Sequence, residues 1–253
     1  MPDPAAKFDA ERAAEYERQS RIALAGYEAC HELAACLLSA TLDPERSGTA
    51  ARDVLVVGAG GTAQEIQSLA RLQPRWHFTA VDPSPQMLDQ AMARLQALGL
   101  AGQTEAVHGT VQGLPPARHF DAATLVGVLH HQSGDEAKRA VLQSIAARLL
   151  PGAPLVLAGN SHAYASRPLL LSAWAERWRM AGAGPDEVQA KLAKILQGAD
   201  PPATEEASLQ LLEEAGFARA ERFFSSLFWT GWIAFRVQAG RRPAQSDVGA
   251  MGP

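Results

Sequence analysis

The chain has 253 residues, 47% of them hydrophobic and 20% charged, which is enough apolar sequence to bury a full core and excludes disorder throughout. Its formal net charge of −4 at pH 7 lacks the basic excess that binding to a phosphate backbone requires, so no direct nucleic-acid partner is expected. The N-terminus has no apolar core of the signal-peptide type, and no apolar run is long enough to span a bilayer. The sequence therefore predicts a cytoplasmic protein with one domain over residues 1–253 and no membrane partner.

The first two-thirds of the chain predict helices followed by an α/β core. Over residues 8–45, apolar residues recur at helical spacing, and Gly26 and Tyr27 mark a break between one helix and the next. Strand-like and helix-like segments then alternate over residues 52–160. This alternation is typical of a parallel sheet with helices on both faces.

The remaining third predicts a lid and the end of the sheet. Residues 161–200 form a mainly helical insertion after the fifth strand. Residues 201–239 contain one more helix and two strand-like runs, around ERFFSS and GWIAFRV. Residues 240–253 have the Gly, Pro and Ser content of a disordered tail.

The stretch VLVVGAGGTA joins an apolar run to a glycine-rich turn that opens a helix. Gly58 and Gly60 let the backbone pass close to a ligand, and the helix N-terminus presents unpaired N–H groups to it. Asp82 ends the next strand, 24 residues after Gly58, where a carboxylate can accept hydrogen bonds from ribose hydroxyls. The pair predicts an adenosine-containing ligand. NAD stays open at this point, because Ala63 completes a GxGxxA spacing.

Four stretches together resemble the motifs of class I S-adenosylmethionine (SAM)-dependent methyltransferases: VLVVGAGGT, VDPSPQML, FDAATLVGVLHH and LLPGAPLVLAG. The resemblance covers about Arg52 to Gly159, and a second nucleotide-binding half, which NAD would need, is missing. It implies a Rossmann-like, seven-stranded, mostly parallel sheet. It also implies SAM as the cofactor, S-adenosylhomocysteine (SAH) as its product, and a small-molecule acceptor that receives a methyl group on O, N, S or C.

The same resemblance implies a set of cofactor contacts after the first four strands. Asp82 would bind the ribose, and Gly127 would offer its carbonyl to the methionine amino group. For Met87, plain core packing on a helix is the alternative. The remaining contacts are those to the methionine part (Gly58, Ala59, Gly60), to adenine (Pro83 or Met87) and beside the adenine amino group (Thr110, Val111).

A looser similarity to the carboxy-SAM synthase (CmoA-like) branch spans FDAERAAEY, AGYEACHELAACLL and LLEEAGFARAERFFSSLFWTGWIAFR. It implies that Tyr27 lies over the cofactor, and an aromatic core residue is the alternative. The arginine with which this branch clamps the extra carboxylate is matched by Ala193, and the nearby Lys191 and Lys194 lack the planar fork of a guanidinium. Ordinary methyl transfer is therefore favoured over carboxy-SAM synthesis. A non-catalytic SAM-binding module is the alternative outside enzymes.

Two adjacent histidines, His130 and His131, follow the fourth strand at its carboxyl end, where open α/β sheets bind their ligands. An imidazole there can act as a general base, and His131 is the first candidate. The alternative is that both only line the pocket or hydrogen-bond a loop. A metal site is not expected, because adjacent histidines do not easily reach one ion and no Cys or carboxylate cluster completes a site.

Acceptor contacts are predicted from two further segments. His162, Tyr164 and Arg167 follow the fifth strand, where a solvated loop is the alternative. Trp229 and Trp232, with the tryptophans of the insertion, are predicted to wall an aromatic or apolar acceptor. The alternative for these aromatic residues is packing on the core or on a second subunit in a homodimer.

Overall fold

The structure is a computed structural model that describes residues 10–43, 45 and 50–237, with side chains from residue 17 onward. The predicted tail over 240–253 and the first residues of the predicted N-terminal helical region lie outside this part of the chain.

Seven strands form one sheet in the order β3-β2-β1-β4-β5-β7-β6. The first five pair in parallel, and β7 lies antiparallel between β5 and β6. The predicted seven-stranded, mostly parallel sheet is therefore confirmed. The strands are β1 (Asp53–Val57), β2 (His77–Asp82), β3 (Thr104–His108), β4 (Ala122–Val126), β5 (Pro154–Asn160), β6 (Phe217–Ser226) and β7 (Trp229–Arg236).

Helices cover both faces of this sheet. The chain between α1 and α2 turns at Gly26, whose φ of 85° suits glycine, so the break lies where the sequence predicted it. The predicted insertion after β5 consists of two helices, α6 and α7. The helices are α1 (Ala10–Ala23), α2 (Tyr27–Leu42), α3 (Gln64–Leu72), α4 (Pro85–Ala97), α5 (Gly134–Arg148), α6 (Pro168–Met180), α7 (Pro185–Gly198) and α8 (Glu205–Glu214).

The core divides between the two faces because successive strand residues point to opposite sides. In β1, Val54 and Val56 pack with α2, α3 and α4, whereas Leu55 and Val57 pack with α5 and α8. All four side chains are buried. This two-sided burial accounts for the continuous apolar run that precedes the glycine turn.

The last hairpin differs from its sequence pattern. The sequence placed a strand near ERFFSS, but β6 begins at Phe217, directly after Gly216. Its register against β7 shifts twice, and Arg219 has a φ of 52°. These irregularities break the period of two that would have revealed the full strand.

The insertion is attached to the N-terminal helices through the end of α1. Trp174 Nε1 donates a hydrogen bond of 2.8 Å to the carbonyl oxygen of Ala23. Arg177 donates to the carbonyls of Ile22 and Arg21 at 3.2 and 2.9 Å. These contacts satisfy carbonyls that a helix C-terminus leaves without partners, and they hold α6 beside α1. In the described residues, none of the helices has both the length and the apolar character needed to cross a membrane.

Candidate functional site

A cavity of about 650 Å³ opens at the carboxyl ends of β1, β4 and β5 and is covered by α6 and α7. The strand order reverses between β1 and β4, and crevices at such switch points are where open α/β sheets bind ligands. Nine of the predicted site residues lie in its wall: Tyr27, Gly58, Ala59, Gly60, Gly127, His130, His131, Tyr164 and Trp229.

The glycine turn has the backbone conformation that its residues predict. Gly58 and Gly60 have φ values of 72° and 55°, in the left-handed region. A Cβ atom on Gly58 would stand 2.2 Å from Cγ2 of Val128 in the loop after β4. The turn after β1 and the loop after β4 therefore approach each other at a place where only glycine fits.

Asp82 holds the turn from the neighbouring strand. Its Oδ2 accepts a hydrogen bond of 3.2 Å from the backbone N–H of Gly60, and its Oδ1 accepts one of 2.9 Å from Ser84 N–H. Burial raises the pKa of the Asp82 carboxyl, although the two backbone hydrogen bonds act in the opposite direction. The structure thus brings Asp82 to the glycine turn, as the spacing predicted. Its ribose contact stays a prediction.

A buried polar cluster that the sequence reasoning missed lies beside this turn. It consists of Tyr27, His31, Thr62 and Glu65, all in the cavity wall. The hydroxyl of Tyr27 lies 2.9 Å from Thr62 Oγ1, and Nδ1 of His31 lies 2.7 Å from the Tyr27 carbonyl oxygen. A carbonyl oxygen only accepts, so His31 Nδ1 carries the proton of that bond. His31 Nε2 then lies 3.9 Å from Glu65 Oε2.

The surroundings of Glu65 disfavour its charge. Glu65 is 6% exposed, and burial raises the pKa of its carboxyl. Of its charged neighbours, His31 lowers that pKa and Asp82 raises it. In the sequence, Glu65 looks like an ordinary acidic residue in the first turn of a helix, so only its burial singles it out.

The two histidines after β4 both reach the cavity. They belong to a 3₁₀ turn, Leu129–His131, and their ring centroids are 4.4 Å apart. His130 is buried and meets the ring of Trp229 edge-on at 5.6 Å, whereas His131 is half-buried. His131 is therefore the more exposed of the two rings, and its role as a general base stays a prediction.

The same histidine turn is tied to the end of α7. The backbone N–H of Asp200 donates a hydrogen bond of 2.8 Å to the carbonyl of His130. The Asp200 carboxylate accepts from Gly134 N–H at 2.7 Å and from Lys138 Nζ at 2.8 Å. Lys138 is 1% exposed. The covering helix and the histidine turn are therefore fixed to each other through Asp200.

The end of the cavity under α6 and α7 is aromatic and carries lysines. Tyr164 packs on Trp174 and Phe228, and burial raises the pKa of its hydroxyl even though Asn160 Nδ2 donates to it at 2.7 Å. Lys191 Nζ lies 4.9 Å from the ring centroid of Trp178. Among the described residues, three buried polar atoms in this wall have no hydrogen-bond partner: Asn160 Oδ1, Trp178 Nε1 and Trp229 Nε1.

Three predicted acceptor residues lie outside the cavity wall. Trp232 lies on the opposite face of β7 from Trp229, because the two are three positions apart in a strand, and it packs in the core on the α5 side. His162 lies beside Glu205, with Nε2 3.7 Å from Oε1, and burial, with the nearby Arg167, lowers its pKa. Arg167 is exposed where α6 begins. The structure thus does not bring Trp232, His162 and Arg167 into the cavity wall, and their contact with the acceptor stays a prediction from the sequence.

The predicted adenine contacts also lie outside the cavity wall, near the carboxyl ends of β2 and β3. Met87 is buried in α4, and the carbonyl of Pro83 lies 3.1 Å from His108 Nε2. Thr110 and Val111 lead into a 3₁₀ turn after β3. Their contact with adenine stays a prediction that rests on the resemblance.

No group of three or more His, Cys, Asp or Glu residues that could hold a metal ion occurs in the described part of the chain. Ala193, at the position of the carboxy-SAM clamp, is exposed on α7, while Lys191 and Lys194 line the cavity.

Comparisons with known proteins agree with this arrangement. Residues 54–152 match the family model described as "Methyltransferase domain". A curated protein of Schizosaccharomyces pombe, "Ubiquinone biosynthesis O-methyltransferase, mitochondrial", is 33% identical over 130 residues, which are 51% of this chain and 45% of that protein. The chain thus matches somewhat less than half the length of this relative.

Two solved structures share the fold at low identity. An O-methyltransferase family protein from Burkholderia thailandensis superposes with a TM-score of 0.58 at 17% identity, covering 93% of this chain and 72% of the other. The N-methyltransferase NodS from Bradyrhizobium japonicum, in complex with SAH, has a TM-score of 0.53 at 16% identity, covering 82% and 86%. At these identities, both similarities show a shared fold only.

Proposed function

We propose that this chain is a SAM-dependent methyltransferase that transfers a methyl group to a small-molecule acceptor and releases SAH. The observation that carries the proposal is the glycine turn at Gly58 and Gly60, held by Asp82, which opens into the cavity at the switch point of the sheet. This turn belongs to the segment that matches the methyltransferase family model. The proteins compared above are named O- and N-methyltransferases, and carboxy-SAM synthesis is not favoured.

The residues of the cavity fit this cofactor. Gly58 and Gly60 place backbone without side chains in the cavity wall. The buried carboxylate of Glu65 suits a ligand that carries positive charge. The cavity volume falls within the range of about 300–1,000 Å³ that small-molecule sites occupy. When bound, SAM supplies a methyl group on a positively charged sulfur, which an acceptor atom can attack in line.

The chain's own residues then align the acceptor and remove its proton. Trp174, Trp178 and Trp229 present apolar surface that excludes water. Asn160 Oδ1 and the indole N–H groups of Trp178 and Trp229 are hydrogen-bonding positions for the polar groups of an aromatic acceptor. His131 would take the proton that an acceptor hydroxyl loses. An amine that reacts as the free base would need alignment alone.

Calorimetry with SAM, SAH and NAD tests the cofactor. SAM and SAH should each bind and raise the melting temperature, and NAD should do neither. Tight NAD binding without a SAM signal would contradict the proposal. Mass spectrometry of the ligand that co-purifies with the protein gives an independent answer.

A screen of hydroxylated aromatic acceptors with methyl-labelled SAM tests the activity. Transfer of label with release of SAH identifies an enzyme, whereas binding without turnover of any acceptor favours a SAM-binding module. O-methyl transfer comes first in the screen, because the curated relative is named an O-methyltransferase. A homodimer and a cytoplasmic location stay predictions from the sequence.

A further inference from the structure

Glu65 is a buried carboxylate in the cavity wall that has few partners within the protein. It stands in the first turn of α3, five residues after Gly60, and is 6% exposed. Its own backbone N–H donates to it, and no hydrogen bond from another residue reaches its side chain among the residues that the structure describes. Burying a carboxylate is costly unless positive charge or several donors compensate it.

The charged and titratable groups around Glu65 do not supply a full counterion. From α2, His31 Nε2 approaches to 3.9 Å, beyond hydrogen-bond distance, and Cys30 is close enough for its thiol pKa to be raised by the carboxylate. From β2, Asp82 adds a second negative charge. His31 already uses its Nδ1 proton on the Tyr27 carbonyl, so Nε2 carries a proton only in the charged ring. When the His31 ring is neutral, no cation therefore stands beside the Glu65 carboxylate among the described residues.

We propose that Glu65 binds the α-ammonium group of the methionine part of SAM. The inference rests on the proposed function, because it takes SAM to be the ligand of the cavity. Glu65 lines the cavity together with Gly58 and Gly60, the turn assigned to the methionine part. An ammonium group has three N–H donors, whereas a sulfonium has none, so the ammonium is the group that a carboxylate recognises by hydrogen bonds. A contact of the same ammonium with the Gly127 carbonyl is compatible with this role.

The proposal predicts that SAM binding is coupled to release of a proton. A cation beside Glu65 favours the ionised carboxylate, so the pKa of this group falls when the ligand binds. Affinity should therefore rise with pH through the acid range until Glu65 is ionised in the free protein. His31 is the imidazole that faces Glu65, so His31→Gln serves as the control that keeps Glu65 and removes this ring.

Calorimetry with three adenosine ligands separates the ammonium from the rest of SAM. SAM and SAH both carry the ammonium, and 5′-methylthioadenosine lacks it. Glu65→Gln should weaken SAM and SAH by about 10–100-fold, the effect of losing a charge-assisted hydrogen bond, and leave 5′-methylthioadenosine within about twofold. The matched control is Glu32→Gln, an exposed glutamate of α2 paired with Arg71, which should change none of the three affinities.

Each other result overturns the proposal in its own way. Loss of SAM binding with SAH binding unchanged would mean that Glu65 contacts the sulfonium. Equal loss for all three ligands would mean that Glu65 only maintains the conformation of the glycine turn. If the three affinities are unchanged but the ligand-free variant melts at a lower temperature, Glu65 has only a structural role as the partner of His31. If the wild type binds 5′-methylthioadenosine, SAM and SAH equally, the ammonium has no site.

A measurement that does not depend on the Glu65→Gln variant keeps the proposal testable if that variant fails to fold. SAM binding measured across the acid range, in two buffers of different ionisation enthalpy, should show net proton release where the affinity rises with pH, and His31→Gln should retain it. Absence of proton release would contradict the role of Glu65. If the wild type binds no SAM under any condition, the proposed function itself fails, and this outcome is distinct from a Glu65→Gln variant that binds like the wild type.

Discussion

Replacing Gly58 by alanine tests how the glycine turn is built into the fold. Gly58 has a φ of 72°, and an alanine in the left-handed region costs about 1–2 kcal/mol. The new Cβ atom would also stand 2.2 Å from Val128 Cγ2, a contact that forces the valine or the backbone to move at about 1–3 kcal/mol. Reduced freedom of the unfolded chain returns about 0.4–1 kcal/mol. The variant should lose about 2–4 kcal/mol of unfolding free energy.

Gly61→Ala in the same turn is the matched control. The φ of Gly61 is not positive, and its added Cβ would meet Oε1 of Gln90, the mobile end of a flexible side chain. This change should therefore cost less than about 1 kcal/mol. The two variants add the same methyl group at positions three residues apart, so their difference isolates the left-handed backbone and the contact with Val128.

Thermal and urea unfolding measure this difference. In a chain of this size, about 1 kcal/mol shifts the melting temperature by about 2–4 °C, so Gly58→Ala should melt about 5–15 °C lower than the wild type. It should also bind SAM more weakly, because Val128 leads into the histidine turn of the cavity. A Gly58→Ala variant as stable as Gly61→Ala would refute the reasoning from backbone conformation and close approach.

Three further predictions concern single side chains. Asp82→Ala should weaken SAH binding by about 5–150-fold in calorimetry, because it removes an acceptor worth about 1–3 kcal/mol; an unchanged dissociation constant would remove Asp82 from the site. His131→Ala should lower turnover by about 10²–10⁴-fold with little change in SAM affinity; full activity would make it a pocket-lining residue. Asp200→Asn should lower the melting temperature at pH 7 by about 2–4 °C, since it weakens the pair with Lys138. Burial opposes ionisation of Asp200, but hydrogen bonds from Lys138 and Gly134 N–H hold its pKa below the usual value. The difference in melting temperature between wild type and variant should therefore fade as the pH falls below about 4. A difference that stays constant with pH would contradict this.

The sequence by itself determined the sheet and the glycine turn. The segments from β1 to β5 alternate with helices, and parallel pairing requires such crossovers, so local pattern and chain connection both lead to one fold class. The approach of Asp82 to the turn followed in the same way. In parallel strands that lie side by side, the carboxyl ends meet at one edge, so a residue that ends β2 must lie near the turn that follows β1.

Only the tertiary structure decided which distant side chains share the cavity. His31 and Glu65 are 34 positions apart on helices whose sequences look ordinary, and they meet because α2 packs on α3. Lys194 reaches the cavity wall because α7 covers the carboxyl ends of the strands. The helical pattern of α7 does not encode this placement.

The two tryptophans of β7 show the limit of sequence reasoning most directly. Trp229 and Trp232 are both aromatic, both near the chain end and both buried, and the sequence assigned them the same role. The strand turns one toward the cavity and the other toward the opposite core, because side chains alternate between the faces of a sheet. Which tryptophan faces the cavity depends on where β7 begins and on which elements cover each face of the sheet. Packing between distant segments of the chain determines both of these.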